Sequence, residues 1–181
     1  MNKARQAARA NGEGRHILSI LSFPNRGPWG NSRYRGNASG HIYRSLYQQL
    51  EPKSIVEVFA GSGTAKDVAD EMGIPIVTLD LKDGFDATRD SILERVGRES
   101  DLVFGHAPYL DIIKYSGHVW GNNPHPDDLS HISDPNEFID LMAAVLLNQR
   151  NATRPGGFYG TLTGDIRRNG KYISLQAEYI A

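Results

Sequence analysis

The stretch that most restricts this chain runs Ile55-Val56-Glu57-Val58-Phe59, then Ala60-Gly61-Ser62-Gly63, then Thr64 to Met72, with Gly73 behind it. It reads as a buried strand, a tight glycine turn and a helix with a glycine stop. A strand that feeds a helix through so short a turn opens an α/β unit, in which the next strand comes back parallel. The pattern then repeats. Ile74 to Leu81 reads as a strand and residues 88 to 98 as a helix. Asp101 to Gly105 is a short strand leading into His106-Ala107-Pro108-Tyr109. A helix starts at Asp134, with Pro135 at its first position and Glu137 three residues after the cap, and runs to about Asn151. Pro155-Gly156-Gly157 reads as a turn into a strand over 158 to 164. Upstream, Ile42, Leu46 and Leu50 mark a helix over about 41 to 50. The expected fold is α/β, a doubly wound, mainly parallel sheet with helices on both faces. Residues 116 to 133 form a loop long enough to be a functional element or a lid.

With 181 residues, one domain is expected, over 23 to 181, after a basic arm at 1 to 22. Residues 1 to about 14 read as disordered or loosely helical. No cysteine is present, so thiol nucleophiles and thiolate metal sites are excluded. No apolar run reaches the roughly 20 residues of a membrane span, and no secretory signal is visible, so a cytoplasmic location is expected. The net charge of −1 hides an asymmetry. Residues 1 to 44 hold eight basic residues against one acid, and the remainder is acidic. A basic end on an acidic body points to a polyanionic partner.

The turn after the first strand is where a doubly wound sheet binds its ligand. It lacks the third glycine of a dinucleotide fingerprint, since Lys66 stands there, and the Gly-Lys-Ser/Thr ending of a phosphate loop. A pyrophosphate ligand is therefore disfavoured. Asp80, 17 residues after Gly63 at the end of the next strand, can accept hydrogen bonds from both hydroxyls of a ribose. Asp86 could meet an adenine amine, or cap a helix, as could Asp90.

These elements resemble the class I methyltransferases, and more narrowly the DNA amino-methyltransferases. Glu57 to Thr64 looks like their Phe-x-Gly-x-Gly cofactor loop. His106-Ala107-Pro108-Tyr109 looks like their catalytic motif, usually Asp/Asn/Ser-Pro-Pro-Tyr/Phe. Asp111-Ile112-Ile113-Lys114-Tyr115-Ser116, Asp128-Leu129-Ser130, Pro155-Gly156-Gly157 and Gly164-Asp165-Ile166-Arg167 are similar to segments of a subset of these enzymes. Arg35 to Gly40 resembles the element covering the methionine part of the cofactor. The resemblance spans roughly 23 to 180. It implies S-adenosylmethionine as cofactor, held by Asn37, Ser39, Phe59, Ala60, Gly61, Ser62, Gly63, Thr64, Asp80, Leu81 and Asp86. It implies DNA as partner, with the target base flipped into the site. The family fold ends with a further helix and an antiparallel strand pair. That pair is expected to be missing here, leaving room for a second subunit to complete the fold or supply target recognition.

The resemblance also assigns the chemistry. Methylating an aromatic amine requires its lone pair to be freed from the ring, which acceptors at the two amine protons favour. His106 would be the side-chain acceptor, the Ala107 carbonyl the second, and Tyr109 the ring that stacks on the base. Pro108 biases Ala107 toward extended backbone. Asp111 would orient His106 or substitute for it. A protonated imidazole accepts nothing, so activity is expected to fall as pH drops through an ordinary histidine pKa near ~6.5. Adenine is favoured over cytosine as target. The alternatives are an RNA base-amine methyltransferase and a non-catalytic subunit that binds cofactor or DNA. Arg167, Arg168 and Lys171 could meet phosphates or be solvated. Tyr43 and Tyr47 share a helix face and read as core. His41, His118, His125 and His131 match no zinc spacing, so no metal is expected. Ser62 and Ser116 lack the context of a hydrolase nucleophile.

Overall fold

The computed structural model describes residues 21 to 180. The expectation for residues 1 to 14, and most of the basic arm, lie outside the described residues. Four strands form one parallel sheet: β1 (Ile55–Val58), β2 (Ile76–Leu79), β3 (Ser100–His106) and β4 (Thr153–Leu162), in the spatial order β2-β1-β3-β4. Every residue of β1 is buried, as a central parallel strand covered on both faces demands.

Helices cover both faces. On one, Ile55 and Leu102 pack with Tyr43, Tyr47 and Leu50 of α1 (Gly40–Leu50) and with Ala65, Val68 and Ala69 of α2 (Thr64–Met72). Both tyrosines are core, as their spacing predicts. On the other, Val56, Val58 and Val103 pack with Phe138, Met142 and Val145 of α4 (Pro135–Asn151). The alternation of side chains along each strand divides the two cores. A five-residue helix, α3 (Ile92–Val96), lies against α4.

Three local readings are corrected. The segment read as a helix over 88 to 98 is helical only at 92 to 96, and its cap is Ser91, which accepts from the Glu94 N–H, rather than Asp86 or Asp90. Asp90 instead accepts from the Asp86 N–H, and Asn148 of α4 holds the carbonyls of Ala87 and Asp90. Pro155-Gly156-Gly157 is not a turn before a strand but lies within β4, where the pairing with β3 shifts register. Proline is tolerated there because β4 is an edge strand. Apart from the main sheet and ahead of the last helix, and so not the terminal pair of the family fold, β5 (Ile166–Arg168) and β6 (Lys171–Ile173) form an antiparallel two-stranded sheet. Asn169-Gly170 turns it, both with positive φ, as a two-residue hairpin requires. A short helix, α5 (Leu175–Ile180), follows and buries Leu175. Among the described residues no helix is long and apolar enough to cross a membrane.

Candidate functional site

β2 lies on one side of β1 and β3 on the other, so the chain reverses its winding direction between β1 and β3. The carboxyl ends of these strands therefore diverge around a crevice. The glycine turn after β1, Asp80 after β2 and His106 at the end of β3 all meet there. They line one cavity that opens to solvent.

The glycine turn is built under backbone strain. Phe59 has φ 58° and Gly61 φ 51°, both in the left-handed region. For a residue with a Cβ, that conformation costs on the order of 1–2 kcal/mol. Strain of this kind persists where surrounding contacts over-determine it. Here Asp80 supplies them. Its Oδ2 accepts from the Gly61 N–H at 2.7 Å and its Oδ1 from the Lys82 N–H at 3.1 Å. Lys82 reaches back to the Gly61 carbonyl. Asp80 is buried and still has lone pairs on the cavity side.

Asp86 stands further along the same wall. Its Oδ1 accepts from the backbone and hydroxyl of Thr88 at 2.9 and 2.7 Å. Its Oδ2 is buried and makes no hydrogen bond of acceptable geometry, although the Arg89 guanidinium lies 2.7 Å away. The two form an ion pair. Asp127 and Asp128 also line the cavity, which makes it predominantly acidic. Arg89 bridges Asp86 and Asp127, and Lys82 lies 3.9 Å from Asp80, so part of that charge is compensated.

Of the residues singled out in the sequence, Asn37, Phe59, Ala60, Gly61, Ser62, Thr64, Asp80, Leu81, Asp86, His106 and Pro108 line this cavity. Asn37 accepts from the Thr64 hydroxyl and donates to the Asn31 carbonyl, which pins the 31–37 loop to the start of α2. Of the assigned site residues, Ser39, Gly63, Ala107, Tyr109 and Asp111 are not among those that line it. Ser39 caps α1, and its hydroxyl contacts the carbonyls of Asn25 and Arg26. Gly63 caps α2 with φ 79°. The Ala107 methyl is packed in the core. Asp111 pairs with Arg168 of β5 instead of orienting His106.

His106 makes its side-chain hydrogen bond to Tyr109, Nε2 to Oη at 2.8 Å. Tyr109 packs against Gly164, where an added Cβ would come within 2.6 Å of the ring. Burial lowers the His106 pKa from its ordinary value to about 4. The imidazole is thus neutral near pH 7, and the expectation of titration near ~6.5 is corrected.

The sequence reading gave the opposite wall no role, although Tyr115 and Leu129 fall in segments it named. Tyr34 and Tyr115 stack with centroids 6.0 Å apart, and Trp120 and Leu129 continue the surface. These residues come from the 24–40 loop and the long loop after β3, whose length was the available signal. That loop is fastened from within. Asp128 Oδ2 accepts from the Ser116 N–H and hydroxyl at 2.7 and 2.6 Å, and Ser116 Oγ accepts from the His125 N–H. His131 Nε2 lies 3.1 Å from both oxygens of Ser116. The Ser116 hydroxyl proton already points at Asp128, so His131 Nε2 must be the donor. Ser, His and Asp are thus close together, but the serine is fully buried and donates to the aspartate, which is not the wiring of a nucleophile.

Glu57 of β1 is buried beside Tyr43 and Tyr47, with Oε2 unpartnered. Burial, and then the charge of Asp80, raise its pKa well above the ordinary carboxylate range. It is not among the cavity-lining residues.

No protein-family model, no curated protein and no solved structure matches this chain.

Proposed function

We propose that this chain is a class I methyltransferase domain that transfers the methyl group of S-adenosylmethionine to the exocyclic amine of a DNA base, adenine favoured over cytosine. The observation that carries the reading is the convergence of the Phe59–Thr64 turn, Asp80, Asp86 and His106 on one acidic cavity at the switch point of a parallel sheet. S-adenosylmethionine is a sulfonium cation with a ribose and an adenine, and these residues fit it. Asp80 has free acceptor positions for ribose hydroxyls. Asp86 Oδ2, ion-paired with Arg89 on one side, keeps a lone pair for an adenine amine. The glycine turn leaves no side chain between backbone and ligand at Gly61. When bound, the cofactor would supply an electrophilic methyl group; the target amine would take it as the carbon–sulfur bond breaks and would release one proton to solvent.

The chain's residues then orient the amine. His106 accepts one amine proton only if Nε2 carries the hydrogen, donates it to the Tyr109 oxygen and leaves Nδ1 free. Tyr109 stacks on the base. In the opposite tautomer the histidine offers a donor in place of an acceptor. That arrangement, with Tyr109 off the cavity wall, favours a second reading: a non-catalytic subunit that binds cofactor and DNA.

Mass spectrometry of nucleosides from unmethylated DNA incubated with the protein and S-adenosylmethionine tests the two. An N6-methyladenine or N4-methylcytosine peak supports transfer and names the base. Cofactor binding with no methylated nucleoside in DNA supports the binding subunit, and a peak in RNA alone moves the substrate to RNA.

The pH dependence follows from His106. Its folded pKa lies below the unfolded value, so the rate of the chemical step should be flat from pH 8 to about 5.5 and fall below about 5 as the ring gains a proton. Stability shifts in the same direction. The unfolded chain takes up the proton first, so this histidine's contribution declines as pH falls from about 6.5 toward 4. Single-turnover rates across this range check it, and a midpoint near 6.5 would remove His106 as a buried acceptor.

A further inference from the structure

Beyond the Tyr34–Tyr115 pair lies a second, more open depression lined by Arg33, Tyr34, Arg35, Asp111, Ile112, Lys114 and His118, among others. It shares Tyr34 with the acidic cavity, so the two are neighbours across one aromatic ring. Their charges are opposite. Arg33, Arg35 and Lys114 are exposed, and none of the ion pairs among the described residues engages them. The acid of this groove, Asp111, is matched by Arg168, although Lys114 also lowers its pKa. Three cations that no ion pair among the described residues engages therefore face an open channel beside a cavity lined by aspartates. Ile112, 48% exposed, adds an apolar contact for a sugar or base face. Arg33 and Arg35 stand on the loop before α1, and Lys114 on the loop after β3. Two segments far apart in sequence thus converge on one charged surface.

We propose that this groove seats the phosphodiester backbone of the strand whose base enters the cavity. The proposal rests on the DNA reading above and names the surface that reading leaves open. Phosphates flanking the target nucleotide would lie on Arg33, Arg35 and Lys114, with the base passing Tyr34 and Tyr115 toward His106. Such contacts position the nucleic acid without reading its sequence.

Fluorescence anisotropy of a labelled unmethylated DNA duplex, with the full chain over a series of salt concentrations, provides the test. Each phosphate contact contributes about 0.9 to the slope of log affinity against log salt. The Arg33→Ala/Arg35→Ala/Lys114→Ala variant should flatten the slope by about 2 to 3 and weaken binding roughly 100-fold near 0.1 M salt. A control variant, Lys53→Ala/Arg98→Ala/Arg150→Ala, removes the same charge ahead of β1, β3 and β4, at the other end of the sheet. It should leave the slope unchanged. Arg33→Lys/Arg35→Lys keeps the charge and should keep the slope. Calorimetric binding of S-adenosylmethionine, equal in all variants, shows that the fold is intact. Wild-type slope and affinity in the groove variant overturn the groove and leave the DNA reading standing, as does an equal loss in the control. Wild-type protein that binds RNA and not DNA, with the slope change seen on RNA, keeps the groove and overturns the DNA reading. No binding to either overturns both.

Discussion

Replacing Asp80 by alanine is expected to weaken S-adenosylmethionine binding at least a hundredfold. The carboxylate has two duties. Toward the protein it accepts the Gly61 and Lys82 N–H groups, which holds the strained glycine turn in place. Toward the cavity it would present lone pairs to the ribose of the proposed cofactor. A hydrogen bond to a charged group is worth about 1.5–3 kcal/mol, and the loss of two amounts to a factor of roughly 100 to 1,000 or more in affinity. Asp80→Asn keeps one acceptor oxygen and should fall between wild type and alanine. Isothermal titration calorimetry measures both. Affinity within threefold of wild type in Asp80→Ala would restrict this carboxylate to clamping the turn, and a lowered melting temperature would register that duty alone.

Tyr109→Ala should lower the rate of methyl transfer roughly 30- to 1,000-fold and leave cofactor affinity within about twofold. Stacking of a base on an aromatic ring is worth about 1–3 kcal/mol, and the hydrogen bond to His106 about 1 kcal/mol more. Both are lost on truncation, while the cofactor-facing residues stay put, because Tyr109 is not among those that line the cavity. Tyr109→Phe separates the two contributions: the ring stays, the bond to His106 goes, and the loss should be only about 5- to 10-fold. Single-turnover methylation with nucleoside detection gives both rates. Equal losses in the two variants would place the whole effect in the His106 bond, and no loss in either would remove Tyr109 from the reaction.

Where caps and stops are local, the sequence was legible. The helix Thr64–Met72 is bracketed by glycines on both sides, and Asp134 with Pro135 starts the helix that ends at Asn151. Both were readable to the residue or nearly so. The segment 88–98 was not, because a side chain from another helix, Asn148, holds the carbonyls of Ala87 and Asp90 and keeps the chain in a turn there. Asp111 was misread for a similar reason. Leu110, just before it, takes φ 52°. The chain thereby turns after Pro108-Tyr109, and the carboxylate meets Arg168 on a hairpin more than fifty residues away. No spacing rule anticipates that turn. The cavity's floor was visible because glycines and acids at strand ends have fixed positions in this kind of sheet. Its aromatic wall was not, since Tyr34 and Tyr115 face each other only after two loops have packed.

The Ser116–Asp128 clasp bears on how a ligand would meet this wall. A loop of this length that had to order on binding would cost about 1–2 kcal/mol for each residue fixed. Here the cost is settled at the folding step, because the buried carboxylate ties both ends of the loop to each other. The long loop is therefore better described as a fixed jaw than as a closing flap. A fixed jaw selects by shape on entry, so its grip on a ligand should carry little of the entropy penalty and heat-capacity change that mark folding coupled to binding.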